Sequence, residues 1–431
     1  MKFFETKFFR GFSLITIGLA SIALRIYEIS NWKLYSDSFK FLLIGKAVYL
    51  GKNVITLYPQ SDFGTFTSVY TLYKWLYGIL IGLSARLVGL AGVTVNNGLF
   101  ELLAHVWVIV PSVLCVVFVG LVVYEITKSK QFGFIASLLL AFSGTTIIWN
   151  SFIVTEPITI FLFLLMIYLD LKYGNLFFNL VVGFLVCLAR PEFYFAVPIY
   201  IVLSFILRHY LFRDVSKKIL HWIDRVLYLI MGVTYVYVFL FSNLFKTNLY
   251  GDLFLFVSTL VICIHAIMNK HEGEVDVMGL NSDPMWLVIS KFNWVLLVLI
   301  TFLTLVYYSF NSEIERYVVI LIPLLIMLNV NYYFLILKMI NWKLVSVLLT
   351  FIVMMQLGYV LTFPKYTDVD YHTELSRSVL DYAKANGISN IYVAQSDPEV
   401  YENSDENVHI YKLSNDIFGI IQPNSLIIKD D

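Results

Sequence analysis

The chain has 431 residues, of which 59% are hydrophobic and only 14% charged, with a formal net charge of zero and a mean hydropathy of +0.79. An ordinary soluble domain is about 45–50% apolar and about 25% charged, so no water-facing core accommodates this excess. Zero net charge argues against a nucleic-acid partner, and Cys115, Cys187 and Cys263 lie in apolar runs with no Cys or His at metal-ligand spacing.

Apolar runs of about the length that crosses a bilayer recur along the chain and predict about eleven spans. They fall at 9–27, 100–123, 132–149, 157–171, 176–189, 193–208, 219–241, 252–268, 292–310, 317–337 and 344–362. In the first, Lys2, Lys7 and Arg10 precede an apolar run from Gly11 to Leu24 that ends at Arg25 without an A-x-A-like cleavage site, so it reads as a retained span. Between the first two spans lies a long loop, 28–99. Within it, 66–88 carries Thr67, Thr71, Lys74, Gly78 and Gly82 at helical spacing, which predicts an amphipathic helix on the interface or re-entering from it.

With that segment not crossing, the connections bearing Lys128, Lys130, Lys172, Arg208, Arg213, Lys217, Lys218, Lys338 and Lys343 share the side of the N-terminus. The positive-inside rule makes that side cytoplasmic, so residues 363–431 emerge outside a cell membrane. This tail is more polar. It predicts a helix from about Asp370 ended by Gly387, then strands at 391–394, 408–412 and 426–429, a small α/β domain. The expected fold is an all-α multi-pass membrane domain over 1–362 with that module appended.

Ionisable groups at a membrane's edge are expensive and so mark candidate sites. Four stations fall on the outer side. Asp37, in Tyr35-Ser36-Asp37-Ser38, precedes a helix-like stretch closed by Gly51 and is either a helix N-cap or a functional carboxylate. Glu156, in Thr155-Glu156-Pro157, sits in a very short connection. Arg190-Pro191-Glu192 places an ion pair at a turn, which either pins the turn or belongs to a site. Arg316 and Tyr317 open an apolar run reaching Pro323, where Arg316 either snorkels or binds a ligand. Carboxylates and guanidinium groups gathered on one face are what phosphate or sugar chemistry requires.

The order of these stations resembles the GT-C class of polyprenyl-phosphate-sugar-dependent glycosyltransferases, which includes protein O-mannosyltransferases and lipid A aminoarabinose transferases. The similarity lies in an early Asp in a long outer loop, a Ser151 to Pro157 segment like "S…TEP", a Gly183 to Glu192 segment like "L-x-R-P-E" and Arg316-Tyr317 with Pro323. It covers 1 to about 362. The mannosyltransferase-like members show Asp-Glu at the first motif, whereas Ser38 follows Asp37 here.

The resemblance implies transfer of a sugar from a polyprenyl (dolichyl or undecaprenyl) phosphate to an acceptor hydroxyl on a glycan, lipid or protein, by an inverting single displacement at the outer face. It implies Asp37 as general base, with Glu156 orienting Asp37 or the donor sugar. Arg316 is the first choice for stabilising the departing phosphate, followed by Lys40 and Arg190, with Tyr317 and Glu192 beside them. No cofactor or metal is expected, and the partners are the lipid-linked sugar, the acceptor and membrane lipids. A secondary transporter, with broken helices and midplane binding groups, and a non-catalytic membrane scaffold are the competing readings.

Overall fold

The computed structural model describes residues 7–29, 36–52, 75–209, 217–241, 252–268, 284–309, 314–336 and 342–362, together with 379, 381–383, 385–388, 390–393, 409–412 and 425–428 in the tail. Fourteen helices occur among them: α1 Lys7–Ile29, α2 Ser36–Leu50, α3 Trp75–Leu90, α4 Asn97–Thr127, α5 Lys130–Ala141, α6 Gly144–Trp149, α7 Glu156–Tyr173, α8 Leu176–Ala189, α9 Phe193–His209, α10 Lys217–Phe241, α11 Leu253–Met268, α12 Pro284–Ser309, α13 Ile314–Ile336 and α14 Trp342–Thr362. Three stretches, Gly98–Thr127, Val288–Tyr307 and Val318–Leu335, are long and apolar enough to cross a membrane, and several shorter helices are strongly apolar. Outward faces are greasy as well: Phe177 and Phe184 on α8, Phe195 and Val202 on α9, and Phe351 and Met354 on α14 are all exposed. Such faces suit hydrocarbon as solvent. The chain is a mostly helical membrane protein.

The third predicted span, 132–149, is not one helix. α5 ends at Ala141, and Ser143 caps a new six-residue helix by accepting from the Thr146 N–H at 3.3 Å, while Thr146 Oγ1 donates to the Ser143 carbonyl at 3.0 Å. Gly144, Thr145 and Thr146 are poor helix formers, so the local hydrogen bonds win over continuation. Every residue of α6 is buried. Among the described residues the other ten predicted spans each fall on a single helix to within one residue.

The chain divides into two compact units. The first comprises Met1–Glu28, Val110–Asn150 and Glu156–Phe363. Its centre is α13, which packs against α5, α6, α7, α11 and α12. From Val318 to Val330 its side chains are buried on all sides, as an all-round apolar helix requires. α7 and α8 pair closely around Gly183, where an added Cβ would lie 2.7 Å from Val197 Cγ1 on α9.

The second unit comprises Ile29–Ile109, Ser151–Thr155 and Pro364–Asp431. In it α2 and α3 pack tightly, and the reason is glycine: a Cβ on Gly82 would lie 2.5 Å from the Gly45 carbonyl oxygen, and one on Gly78 would collide with Ile44. Thr67, Thr71 and Lys74, on which the amphipathic reading of 66–88 also rests, lie outside the described residues of that segment. Among its described residues the small face of α3 is a helix-packing seam of the small-xxx-small kind, and the outward residues Leu83, Leu87 and Leu90 are apolar. α2 stops as expected at Gly51, φ +69°, with Gly51 N–H donating to Val48 O at 3.2 Å and Lys52 N–H to Ala47 O at 2.9 Å.

In the tail, helical residues end at Gly387, φ +64°. Three short strands, β1 Asn390–Val393, β2 His409–Lys412 and β3 Ser425–Ile428, form a parallel sheet in the order β2-β1-β3. The registers pair Ile391 with Ile410 and with Leu426, and Ile391 is fully buried. The predicted start of the helix near Asp370 lies outside the described residues.

Candidate functional site

Two of the sequence stations meet in the first unit. Glu156 opens α7, and Pro157 follows it at a position where a missing N–H costs nothing. Arg190 caps the C-terminus of α8 in an extended conformation, φ −152° and ψ 137°, the geometry favoured before a proline. The turn is held by Phe193 N–H donating to Arg190 O at 3.3 Å and Tyr194 N–H to Pro191 O at 2.9 Å. That conformation brings Arg190 and Glu192 side by side and aims the guanidinium at α7.

The result is a buried ionic triad. Arg190 grips Glu192 with a two-pronged contact, Nη2 to Oε1 at 2.9 Å and Nε to Oε2 at 3.2 Å, and its Nη1 reaches Glu156 Oε1 at 2.5 Å. The side chains are 4%, 9% and 1% exposed for Arg190, Glu192 and Glu156, so screening by water is small. Burial alone would lower the Arg190 pKa, but Glu192, Glu156 and the nearby Tyr307 outweigh it and hold the guanidinium well above its ordinary value. Burial would likewise raise Glu192, and Arg190 reverses this, holding the carboxyl below its ordinary value. With both carboxylates ionised, the triad keeps one surplus negative charge, so its guanidinium is already committed to acids.

A second buried cation was not among the sequence candidates. Arg25, on α1, is 1% exposed and donates through Nε to Ser112 Oγ at 2.5 Å and through Nη1 to both the carbonyl (3.2 Å) and the hydroxyl of Ser21. Ser112 also accepts from Asn150 Nδ2 at 2.8 Å. Among the described residues the partners of Arg25 are neutral. A desolvated guanidinium with no carboxylate beside it costs several kcal/mol and attracts an anion. The signal was present in the sequence, since Arg25 lies inside the predicted span 9–27.

At the opposite end of α6, Asp252 is 1% exposed and accepts from Ser143 Oγ at 3.0 Å, Thr145 N–H at 3.1 Å and Gln356 Nε2 at 3.1 Å. α6 thus links the two groups, with Asp252 held at its N-terminus and the Asn150–Ser112–Arg25 chain at its C-terminus, about 9 Å away for six helical residues. Asp252 also lies inside a predicted span, and the same rule would have flagged it. A separate buried acid, Asp170, accepts from Asn179 Nδ2 (2.5 Å), Tyr200 OH (2.9 Å) and Ser204 Oγ (2.6 Å). It sits about four turns along α7 from Glu156 and belongs to the far end of the helix.

Asp37 and Lys40 fall in the first turns of α2 in the second unit, and Arg316 and Tyr317 in the first turn of α13. α2 starts at Ser36, so Asp37 is within the helix and not at its cap. The four side chains lie outside the described residues, and with them the expected convergence of Asp37, Glu156 and Arg316. No known protein family's sequence profile matches the chain, and no characterised protein is significantly similar to it.

Proposed function

We propose that this chain is a membrane glycosyltransferase that moves a sugar from a polyprenyl phosphate to an acceptor hydroxyl at the outer face of the membrane. The observation that carries the reading is the meeting of Glu156 with Arg190 and Glu192, the charged ends of the two segments through which the sequence resembles GT-C enzymes. On this reading 1–362 is the eleven-span domain, the N-terminus is cytoplasmic, and 363–431 is an outer α/β domain.

The chemistry follows from the charges. A polyprenyl phosphate leaves as a stable anion, so the base is the group the reaction needs most, and Asp37 holds that role by removing the acceptor's proton as its oxygen attacks the anomeric carbon. Arg316 is the first choice for the departing phosphate, followed by Lys40; Arg190 is saturated by two acids, and Arg25 joins the candidates in its place. A buried guanidinium bonded only to hydroxyls and a carbonyl stabilises charge developing on the leaving phosphate without first breaking an ion pair. The triad ties together the ends of α7, α8 and α9.

The experiment is mass spectrometry of glycans from cells with and without the chain, joined to sugar transfer by the purified protein from a polyprenyl-phosphate sugar. Loss of one glycan on deletion, with transfer in vitro, supports the reading. An unchanged glycan profile together with no transfer from any such donor sinks it. The break between α5 and α6 favours the second reading, a secondary transporter, because discontinuous helices line transporter binding sites. Solute uptake into proteoliposomes separates the two.

A further inference from the structure

A buried cation requires a counter-charge, and the described residues give Arg25 none. Its Nε donates to Ser112 Oγ and its Nη1 to the carbonyl and hydroxyl of Ser21, all of them neutral groups. The two N–H groups of Nη2 meet no acceptor among the described residues. Glu28, one turn further along α1, is buried too, yet it is not among the bonding partners of Arg25. The thiol of Cys115, one turn from Ser112 on α4, is spent on Pro157 O at 3.5 Å.

The neighbours of Arg25 add further donors. Ser112 Oγ accepts from Arg25 Nε and from Asn150 Nδ2 at 2.8 Å, so its own proton is still to be given, while Asn150 Oδ1 is buried with no partner. Turning the amide over changes which donor is left and not that one is left: Ser112 then donates to Oδ1, and Nδ2 becomes the unspent group. Nη2 sits next to Nε on the rigid guanidinium fork, so its open N–H groups lie beside this pair. Ser21, Ser112 and Asn150 are 0%, 1% and 4% exposed, so a ligand here gives up its water. That cost rises steeply with charge, and one negative charge is all that a single guanidinium cancels.

We propose that Arg25, with Ser112 and Asn150, binds a small, singly charged anion of the chloride class. A free sulfate brings two charges to one guanidinium and leaves one of them buried and unpaired. A halide or nitrate is weakly hydrated and matches the charge, and its whole surface accepts hydrogen bonds, so Nη2 and the unspent Ser112 or Asn150 donor are satisfied together. On the transfer reading the donor's phosphate also reaches this guanidinium, sharing its charge with Arg316 and Lys40, and the small anion is then its competitor. The competition rests on that reading. The anion site does not.

The test holds the full chain in neutral detergent at constant ionic strength and exchanges sodium gluconate for chloride, bromide, nitrate or sulfate. Chloride, bromide and nitrate should each raise the melting temperature saturably, by about 1–3 °C at tenfold excess over the dissociation constant. Sulfate should give no saturable rise. General salt effects run the other way, with sulfate stabilising most, so the ranking identifies a site. Calorimetric titration of the unaltered chain with bromide should give one site per chain. Arg25→Gln should abolish the saturable rise, and Arg25→Lys, which keeps the charge and loses the fork, should weaken the affinity about tenfold. Farnesyl methyl phosphate, a diester with no sugar to transfer, should raise the chloride concentration that gives half the effect. Bromide binding without that competition supports the anion site and takes Arg25 out of contact with the donor. No bromide binding to the unaltered chain, a stronger saturable response to sulfate than to chloride, or a full response in Arg25→Gln each overturns the proposal.

Discussion

Arg190 lies between two acids from different elements, Glu156 at 2.5 Å on α7 and Glu192 at 2.9 Å on its own turn, with almost no water to share their charge. Arg190→Gln therefore leaves two buried carboxylates facing each other. Loss of one partner from a buried ion pair costs about 3–5 kcal/mol, and thermal unfolding in detergent should register a drop of that order. The double variant Glu156→Gln with Arg190→Gln should lose less than the sum of the single changes, because each removes the other's penalty. Additive losses would show that the two groups do not interact.

The same triad sets a pH dependence. The folded pKa of Glu192 is depressed, so its contribution to stability is complete above the unfolded value of about 4.3 and is lost as pH falls through the folded value. Arg190 stays protonated throughout and adds no slope. Melting temperature should hold level from neutral pH down to about pH 5 and decline below about pH 4, and Glu192→Gln should flatten that decline. A variant that keeps the full acid sensitivity would place its origin elsewhere.

The seam between α2 and α3 predicts a contrast among glycines. At Gly82 a Cβ would sit 2.5 Å from backbone oxygen, which has no room to give, so Gly82→Ala should cost about 1–3 kcal/mol. At Gly18 and Gly358, both helical, nothing lies within 4 Å. Alanine there should be neutral or stabilise by up to about 1 kcal/mol through helix propensity. Thermal melts of the three variants decide the matter, and a harmless Gly82→Ala would contradict the packing.

Topology is open to labelling from outside intact cells, with the buried Cys115 and Cys263 and the half-buried Cys187 as background. Ser404→Cys should react with an impermeant maleimide and Val215→Cys should not. Reaction at both, or a protected residue 404, rules out the eleven-span arrangement.

For catalysis, Asp37→Asn should retain donor binding and slow transfer about 10²–10⁴-fold, because the amide keeps the shape and cannot take a proton. Arg25→Gln should weaken donor binding and turnover together, as expected of a group that holds the phosphate in the ground state and the transition state. Donor affinity measured beside transfer rate separates the two. Transfer by Asp37→Asn at the wild-type rate removes Asp37 from the mechanism, and unaltered donor affinity in Arg25→Gln removes the anion site.

The sequence by itself located the helices, because an apolar run and its terminating Gly or Pro are properties of neighbouring residues. Gly51 and Gly387 stop their helices where expected, and the three strands fall within about one residue of their predicted places. It also singled out Glu156, Arg190 and Glu192, since charges at the edges of apolar runs stand out locally. Only the tertiary structure decided that these three meet, that the small face of α3 is a seam and not a polar surface, and that the helix after Lys130 breaks at Ser143. It alone separated Arg25, buried among neutral partners, from Arg190, buried between two acids. The physical reason is that burial and choice of partner depend on residues far away in the chain, and a guanidinium at the end of one apolar run reads the same from sequence whether its neighbour in space is a hydroxyl or a carboxylate.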